Sequence, residues 1–348
     1  MIELEKRIVA FEQLGAYLRH FKTEESIHSQ SKLYNLITES HYYNPWFTPE
    51  FVKTAIVNLG ESLNKNSMNR WAEMYPAMQN DKRNSKRIGV VMAGNIPLVG
   101  FHDFLSVLFT GHKIQAKLSS DDDKLLPAIA EQLIVIEPAF TDYIFFTGGK
   151  LENIDAIIAT GSNNTSRYFE YYFRNEPHII RKNRNGVAVL TGHESDEELR
   201  LLGEDIFMYF GLGCRSISKL FVPKGYSFDR LFQNLESFRW VSDHNKYRNN
   251  YEYYRSIYLI NGEKHLDNGV LMLKEDFGFS SPPSVVYYEE YEDIIKLNTR
   301  ISEAKEQIQC IAGNSIKIPE LIPIGKAQKP ALWDYADGVD TLEFLLNL

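Results

Sequence analysis

The sequence predicts an α/β fold built on mostly parallel sheet. Short apolar runs, several closed by glycine, recur from residue 88 onward. Segments with apolar residues at helical spacing lie between them, and the two alternate as βαβα. The length of 348 residues gives room for two domains.

Residues 1 to about 85 read as helices. Ile8, Phe11, Leu14 and Leu18 fall on one face of the first, and Pro49 after Thr48 sets the first turn of another. The polar stretch 79–86 (QNDKRNSK) reads as a junction. Ile88–Met92 is a buried strand by its apolar run, followed by a helix over Leu98–Phe109 with Gly111 as its stop. Lys113–Leu118 is the next strand. Asp121–Asp123 open a further helix, because acids favour a helix N-terminus. Tyr143–Phe146, Ala156–Ala159, Ile179–Ile180, Val187–Leu190, Leu220–Val222 and Ser284–Tyr288 read as strands. Asp196–Phe210, Phe228–Phe238 and Glu252–Ile260 read as helices.

Hydrophobic residues at 44% and charged residues at 24% give a globular balance rather than a disordered one. The net charge of −8 argues against a nucleic-acid partner. No apolar run reaches the roughly 18 residues of a bilayer span, and the charged start MIELEKRIVAFEQLG does not read as a signal peptide. The two cysteines are too few for a disulfide framework, so a reducing cytoplasm is the expected compartment. The nine histidines show no zinc spacing, so no metal is expected.

Cys214, in FGLGCRSISKLFVP, sits in a glycine-rich turn beside Arg215. Accessibility and nearby positive charge favour a thiolate nucleophile, against the alternative of a small buried apolar residue. Cys310, in EQIQCIAG, falls in an apolar helical stretch and reads as structural. The GLG at 211–213 is not a dinucleotide fingerprint, since the pattern fails at Ser216 and follows a helix. Asn95, in MAGNIPLVG, either offers an amide to a developing oxyanion or caps the next helix. Thr160, Gly161 and Ser162, in IATGSNNTSRYF, form a strand–turn–helix junction able to hold phosphate oxygens, or a plain loop. Lys117 and Ser119 close a strand where ribose hydroxyls or a phosphate could be met. The aromatic run Tyr168–Phe173 lines an apolar channel or, at helical spacing, belongs to the core.

Taken in order, Asn95 with Pro97, Lys117, Gly161–Ser162 and Cys214 before a strand resemble the aldehyde-dehydrogenase superfamily. The wording GNIPLVGFHDFL, IATGSNNTSRYFEYYF, HIIRKNRNGVAVLTG, DIFMYFGLGCRSISKLFVPKGY and WDYADGVDTLEFLL is closer still to LuxC-like fatty acyl-CoA reductases. The resemblance runs from about residue 88 onward. It implies an aldehyde-dehydrogenase-like fold: a helical N-terminus and Rossmann-type parallel-sheet cofactor domain over 1–184, an α/β catalytic domain over 185–325, and a C-terminal tail over 326–348. It implies Asn95 as oxyanion donor, Cys214 as nucleophile and His178 as base, with His244 a competitor. Lys117, Ser119, Thr160, Gly161 and Ser162 are then cofactor-binding.

Where hydrolytic members carry a Glu-Leu-Gly-Gly segment, this chain has RKNRN at 181–185, with no acid. Loss of that water-activating base implies reduction of an acyl thioester rather than oxidation of an aldehyde. The implied activity is NADPH-dependent reduction of a fatty acyl-CoA to the aldehyde through an acyl-cysteine, with NAD left open. The implied partners are the acyl-CoA and an acyl-transferase or acyl-protein synthetase. A homo-oligomer stays open, because no counterpart of the family's oligomerisation hairpin precedes Asn95. Two other classes remain: an acyl-phosphate reductase of the same fold, and a non-catalytic binding partner of an acyl carrier or acyl-transferase.

Overall fold

The computed structural model describes residues 1–23, 31–79, 83–314 and 317–348. Positions 80–82 of the expected junction lie outside the described residues. Along the chain the elements are α1 (Leu4–Arg19), α2 (Lys32–Thr38), α3 (Ser40–Tyr43), α4 (Pro49–Ser62), α5 (Lys65–Glu73), β1 (Arg87–Val91), α6 (Phe101–Phe109), β2 (Lys113–Lys117), α7 (Leu125–Ile136), β3 (Ile144–Phe146), β4 (Ala156–Thr160), α8 (Asn163–Tyr172) and β5 (His178–Arg181). They continue with β6 (Asn185–Val189), α9 (Asp196–Phe207), β7 (Ile217–Pro223), α10 (Asp229–Leu235), α11 (Asn245–Asn261), β8 (Leu266–Asp267), β9 (Met272–Glu275), β10 (Val285–Tyr291), α12 (Ile294–Glu303), β11 (Ile308–Gly313), β12 (Leu321–Ile322) and α13 (Thr341–Leu346). The chain divides into two compact units: Met1–Lys182 with Ala331–Leu348, and Asn183–Pro330.

The first unit holds a parallel sheet in the order β3-β2-β1-β4-β5. Ile88, Val90, Ile157 and Ile158 are fully buried, which is why β1 and β4 read as unbroken apolar runs. From β1 the chain steps outward to β2 and β3, then crosses back to β4 and β5. The point of reversal therefore lies between β1 and β4, where open α/β sheets receive ligands at their carboxyl edge. Among the helices, α1 buries Phe11, Leu14 and Leu18 as its spacing predicts. Thr48 caps α4 by accepting the Phe51 N–H at 3.2 Å, with Pro49 in the first turn.

The segment Ala331–Leu348 packs into this unit instead of standing apart as a tail. His102 Nε2 bonds the Leu332 carbonyl at 2.8 Å, and the Trp71 indole N–H donates to the Tyr335 hydroxyl at 2.7 Å. A buried pair, Arg181 with Asp103 at 2.6 Å, extends to the Thr341 hydroxyl at 2.9 Å. Arg181 thus ties the end of β5 to α6 and α13.

The second unit is a sheet in the order β12-β11-β6-β7-β10-β9-β8, parallel except where β8 meets β9. Val187, Val189, Phe221, Phe279 and Leu297 form one of its apolar clusters. A capping box between Ser195 and Glu198 starts α9, reinforced by three acids in its first turn.

Several elements depart from the sequence reading. Within EQIQCIAG, Ile308–Gly313 form strand β11 rather than a helix, and Cys310 stands opposite Gly186 of β6. The helix expected over 196–210 ends at Phe207, and α11 starts at Asn245, well before Glu252. Asp121–Asp123 precede α7 without opening it. Tyr168, Tyr171 and Tyr172 are exposed, so α8 does not bury this aromatic face within its unit.

Candidate active site

In the second unit the chain approaching Cys214 is strained. Tyr209 (φ 54°, ψ 30°) and Phe210 (φ 55°, ψ 27°) are successive non-glycine residues in the left-handed region, and Gly211 follows at φ 75°. Each non-glycine residue there costs about 1–2 kcal/mol, so packing must hold it. Phe210 is 1% exposed, with its ring 4.3 Å from that of His244 and 5.9 Å from that of Tyr247. Such strain concentrates at functional sites. A small cleft lies beside the turn, lined by Phe210, Gly211, Ile217, Tyr247, Pro282 and Val286 among others.

Cys214 is half-buried and in no disulfide. It stands just before β7, in a turn closed by the Ser216 N–H donating to the Gly213 carbonyl at 3.0 Å. Two contacts brace that turn from the segment 327–328, and a third fixes that segment itself. Arg215 Nε donates to the Ala327 carbonyl at 2.5 Å, and Gln328 Nε2 donates to Ser216 Oγ at 3.1 Å. Asp205, at the end of α9, accepts the N–H groups of Gly325 and Ala327 at 2.6 and 3.0 Å. Burial pushes the Asp205 carboxyl up to about 6. On β6, Gly186 leaves room for the Arg215–Ser216 backbone. The Cys310 thiol faces the Arg215 carbonyl from behind at 3.8 Å, a structural place.

In the first unit the predicted cofactor residues gather at the carboxyl edge of the sheet. Lys117 ends β2, half-buried, directly opposite Val91 of β1. Thr160 ends β4. Gly161 takes no side chain because Thr165 and Phe169 of α8 fill the space where a Cβ would lie, about 3.0 Å away. Ser162 caps α8, its Oγ accepting the Thr165 N–H at 3.2 Å. These residues supply a cation, hydroxyls and a helix N-terminus, a donor set suited to ribose and pyrophosphate oxygens.

Asn95 is exposed, in the turn after β1 at the same edge. The capping alternative fails: Gly100 occupies the N-cap of α6, which starts at Phe101 and not at Leu98. The turn is held at both ends by the segment after β2. A Cβ on Gly94 would lie 2.7 Å from Ser119 Cβ. Leu98, left-handed at φ 59°, donates its N–H to Asp122 Oδ2 at 2.7 Å. Burial raises the Asp122 carboxyl to about 7, with Asp123 adding to the rise. Sequence reasoning passed over Asp122 as one of three helix-opening acids.

The two candidate bases are placed differently. His178 is exposed at the start of β5, opposite Ile157, three residues before the edge where Thr160 and Arg181 pair. At about 3.3 Å per residue it stands roughly 10 Å down the strand from the turns of Asn95 and Ser162. His244 belongs to the second unit, capping α11 through Nδ1, with its ring against Phe210, four residues before Cys214.

Among the described residues no acidic, histidine and cysteine cluster could hold a metal ion, and no helix is long and apolar enough to cross a membrane. No protein-family model matches the chain, and no curated protein does. Solved structures do. An aldehyde dehydrogenase from Physcomitrella patens, crystallised with its product succinate, aligns at TM-score 0.69 and 12% identity over 99% of this chain and 84% of its own. An NAD-dependent aldehyde dehydrogenase from Sinorhizobium meliloti aligns at TM-score 0.65 and 11% identity, over 93% and 74%. A glyceraldehyde-3-phosphate dehydrogenase from Methanocaldococcus jannaschii, complexed with NADP, aligns at 0.61 and 11%, over 90% and 77%. The fold is that of the aldehyde dehydrogenases.

Proposed function

We propose that this protein is a nicotinamide-dependent oxidoreductase that reduces a fatty acyl-CoA to its aldehyde through a thioester on Cys214. The observation that carries the reading is the Cys214 turn: a half-buried thiol behind two left-handed non-glycine residues, its turn bonded to the segment 327–328, on an aldehyde-dehydrogenase fold. Strain of this kind is retained where a nucleophile must be presented in one geometry.

In this reading the Cys214 thiolate attacks the acyl carbonyl and the CoA thiolate leaves. The Asn95 amide donates to the carbonyl oxygen as it gains charge, an interaction worth about 3–4 kcal/mol in the transition state. The cysteine proton passes to a histidine, for which we favour His244 over His178 because its ring lies against Phe210. Lys117, Ser119, Thr160, Gly161 and Ser162 would hold the nicotinamide dinucleotide, with Lys117 the group to meet a 2′-phosphate and so favour NADPH. When bound, that cofactor supplies the hydride that converts the thioester to aldehyde. RKNRN at 181–185 offers no carboxylate to activate water, and Arg181 is committed to Asp103 and Thr341, which favours reduction over hydrolysis. A cytoplasmic setting and an acyl-transferase or acyl-protein synthetase as partner fit this chemistry.

Intact-mass spectrometry tests it. Wild type mixed with long-chain acyl-CoA should gain one acyl group, mapped to Cys214 and discharged as aldehyde on adding NADPH. C214A should gain none. An adduct formed from an acyl phosphate but from no acyl-CoA would move the assignment to acyl-phosphate reduction, and no adduct from either would leave a binding role.

A further inference from the structure

Within the first unit, the turn carrying Asn95 is built on another segment. Its entry, Gly94, is packed against Ser119 and Asp121, with Asp121 Cβ 3.1 Å from where a Gly94 Cβ would lie. Its exit, Leu98, keeps a left-handed backbone whose N–H is bonded at 2.7 Å by Asp122. The Asp121 carbonyl is in turn fixed by Asn44 Nδ2 at 3.2 Å. The second carboxylate oxygen of Asp122 is enclosed and has no hydrogen-bond partner among the described residues. A carboxylate kept enclosed with half its accepting capacity unused is costly, and the contact it makes is with the Leu98 N–H.

We infer that Asp122 is a positioning residue for the proposed acyl transfer, clamping the left-handed exit of the turn so that the Asn95 amide is presented to the acyl carbonyl. The inference rests on the acyl-transfer reading for its consequence, and on the Leu98–Asp122 bond alone for its mechanism. Asp122 itself touches no reacting atom. Lys117 and Ser119 lie on the same segment, so one stretch of chain serves both the cofactor edge and the oxyanion donor.

The test compares wild type, D122A, D122N, N95A and D122A/N95A in two measurements on the full chain. Hydrogen exchange of the peptide spanning 93–100 needs no substrate. D122A should lose protection at the Leu98 amide, whereas D122N keeps a carbonyl oxygen able to accept that N–H and should retain most of it. The rate of Cys214 acylation by a long-chain acyl-CoA should fall about tenfold to a hundredfold in D122A, recover largely in D122N, and fall no further in D122A/N95A than in N95A. A residue that merely stabilised the fold would multiply with N95A.

Unchanged exchange in D122A overturns the clamp. Changed exchange with unchanged acylation, or multiplicative losses, overturns the positioning role. If wild type itself accepts no acyl group, the acyl-transfer reading fails separately, and exchange still decides whether Asp122 holds the turn.

Discussion

A Cβ placed on Gly186 would lie 2.6 Å from the carbonyl oxygen of Arg215, so β6 and the chain leaving Cys214 are in backbone contact. No rotamer relieves that contact, because both partners are main chain. G186A should therefore displace the turn or fail to seat β7, at a cost of about 1–3 kcal/mol of stability. Urea unfolding followed by fluorescence checks the stability, and iodoacetamide labelling of Cys214 checks the turn. A variant as stable as wild type, with the same labelling rate, would show that the turn absorbs the methyl group.

The histidines separate by alanine substitution. H244A removes the ring against Phe210 and the acceptor capping α11. Acylation should slow by about a hundredfold or more if this ring takes the cysteine proton. H178A removes an exposed ring at the start of β5 and should leave the rate within about twofold. The opposite ranking would return the base to His178.

His112 sets an acid limit on the first unit. Its Nδ1 accepts the Lys86 N–H at 3.1 Å and its Nε2 bonds the Leu345 carbonyl at 2.9 Å, so the ring must be neutral. Burial lowers it from 6.5 to about 4. Since the unfolded chain takes the proton first, this contribution is complete above about pH 6.5 and is lost as pH falls toward 4. Between pH 7 and 5 it amounts to about 2 kcal/mol. Urea titrations at the two pH values should show that difference in wild type and a smaller one in H112Q.

Asp205 works in the opposite sense in the second unit. Its folded value, about 6, lies above the ordinary 3.8. The stability it contributes is full below about pH 3.8 and is lost as pH rises through 6, a swing of about 3 kcal/mol. Hydrogen exchange by unit at pH 5 and pH 7 should show protection shifting toward the first unit as pH rises. In D205N the second unit should lose much of its pH dependence. It should also exchange faster over 325–328, because an amide can accept only one of the two N–H groups.

The legible parts of this fold were local. The buried strands β1, β4 and β6 declare themselves as apolar runs, and Thr48–Pro49 marks α4 by its own chemistry. Cys310 was misread because a short apolar run fits either period, and only pairing with β6 decides for strand. The turn at Tyr209–Phe210 was invisible because neither residue favours a left-handed backbone. Tertiary packing against His244 and Tyr247 holds it there. Asp122 looked like a helix-opening acid because the Leu98 N–H it accepts is 24 positions away. Lys117 ends β2, and Asn95 and Ser162 lie in turns that follow β1 and β4, places where residue type and turn signals coincide in the sequence.

The return of Ala331–Leu348 to the first unit has a consequence for how the molecule is made. A ribosome delivers that segment only after all of the second unit has emerged. Until then Leu342 and Leu345, both fully buried in the finished protein, are missing from the first unit, and Arg181 and Asp103 lack Thr341. The nascent first unit is thus left open while the second can close. Free chains truncated after residue 330 should accordingly resist protease over the second unit and be cut over the first.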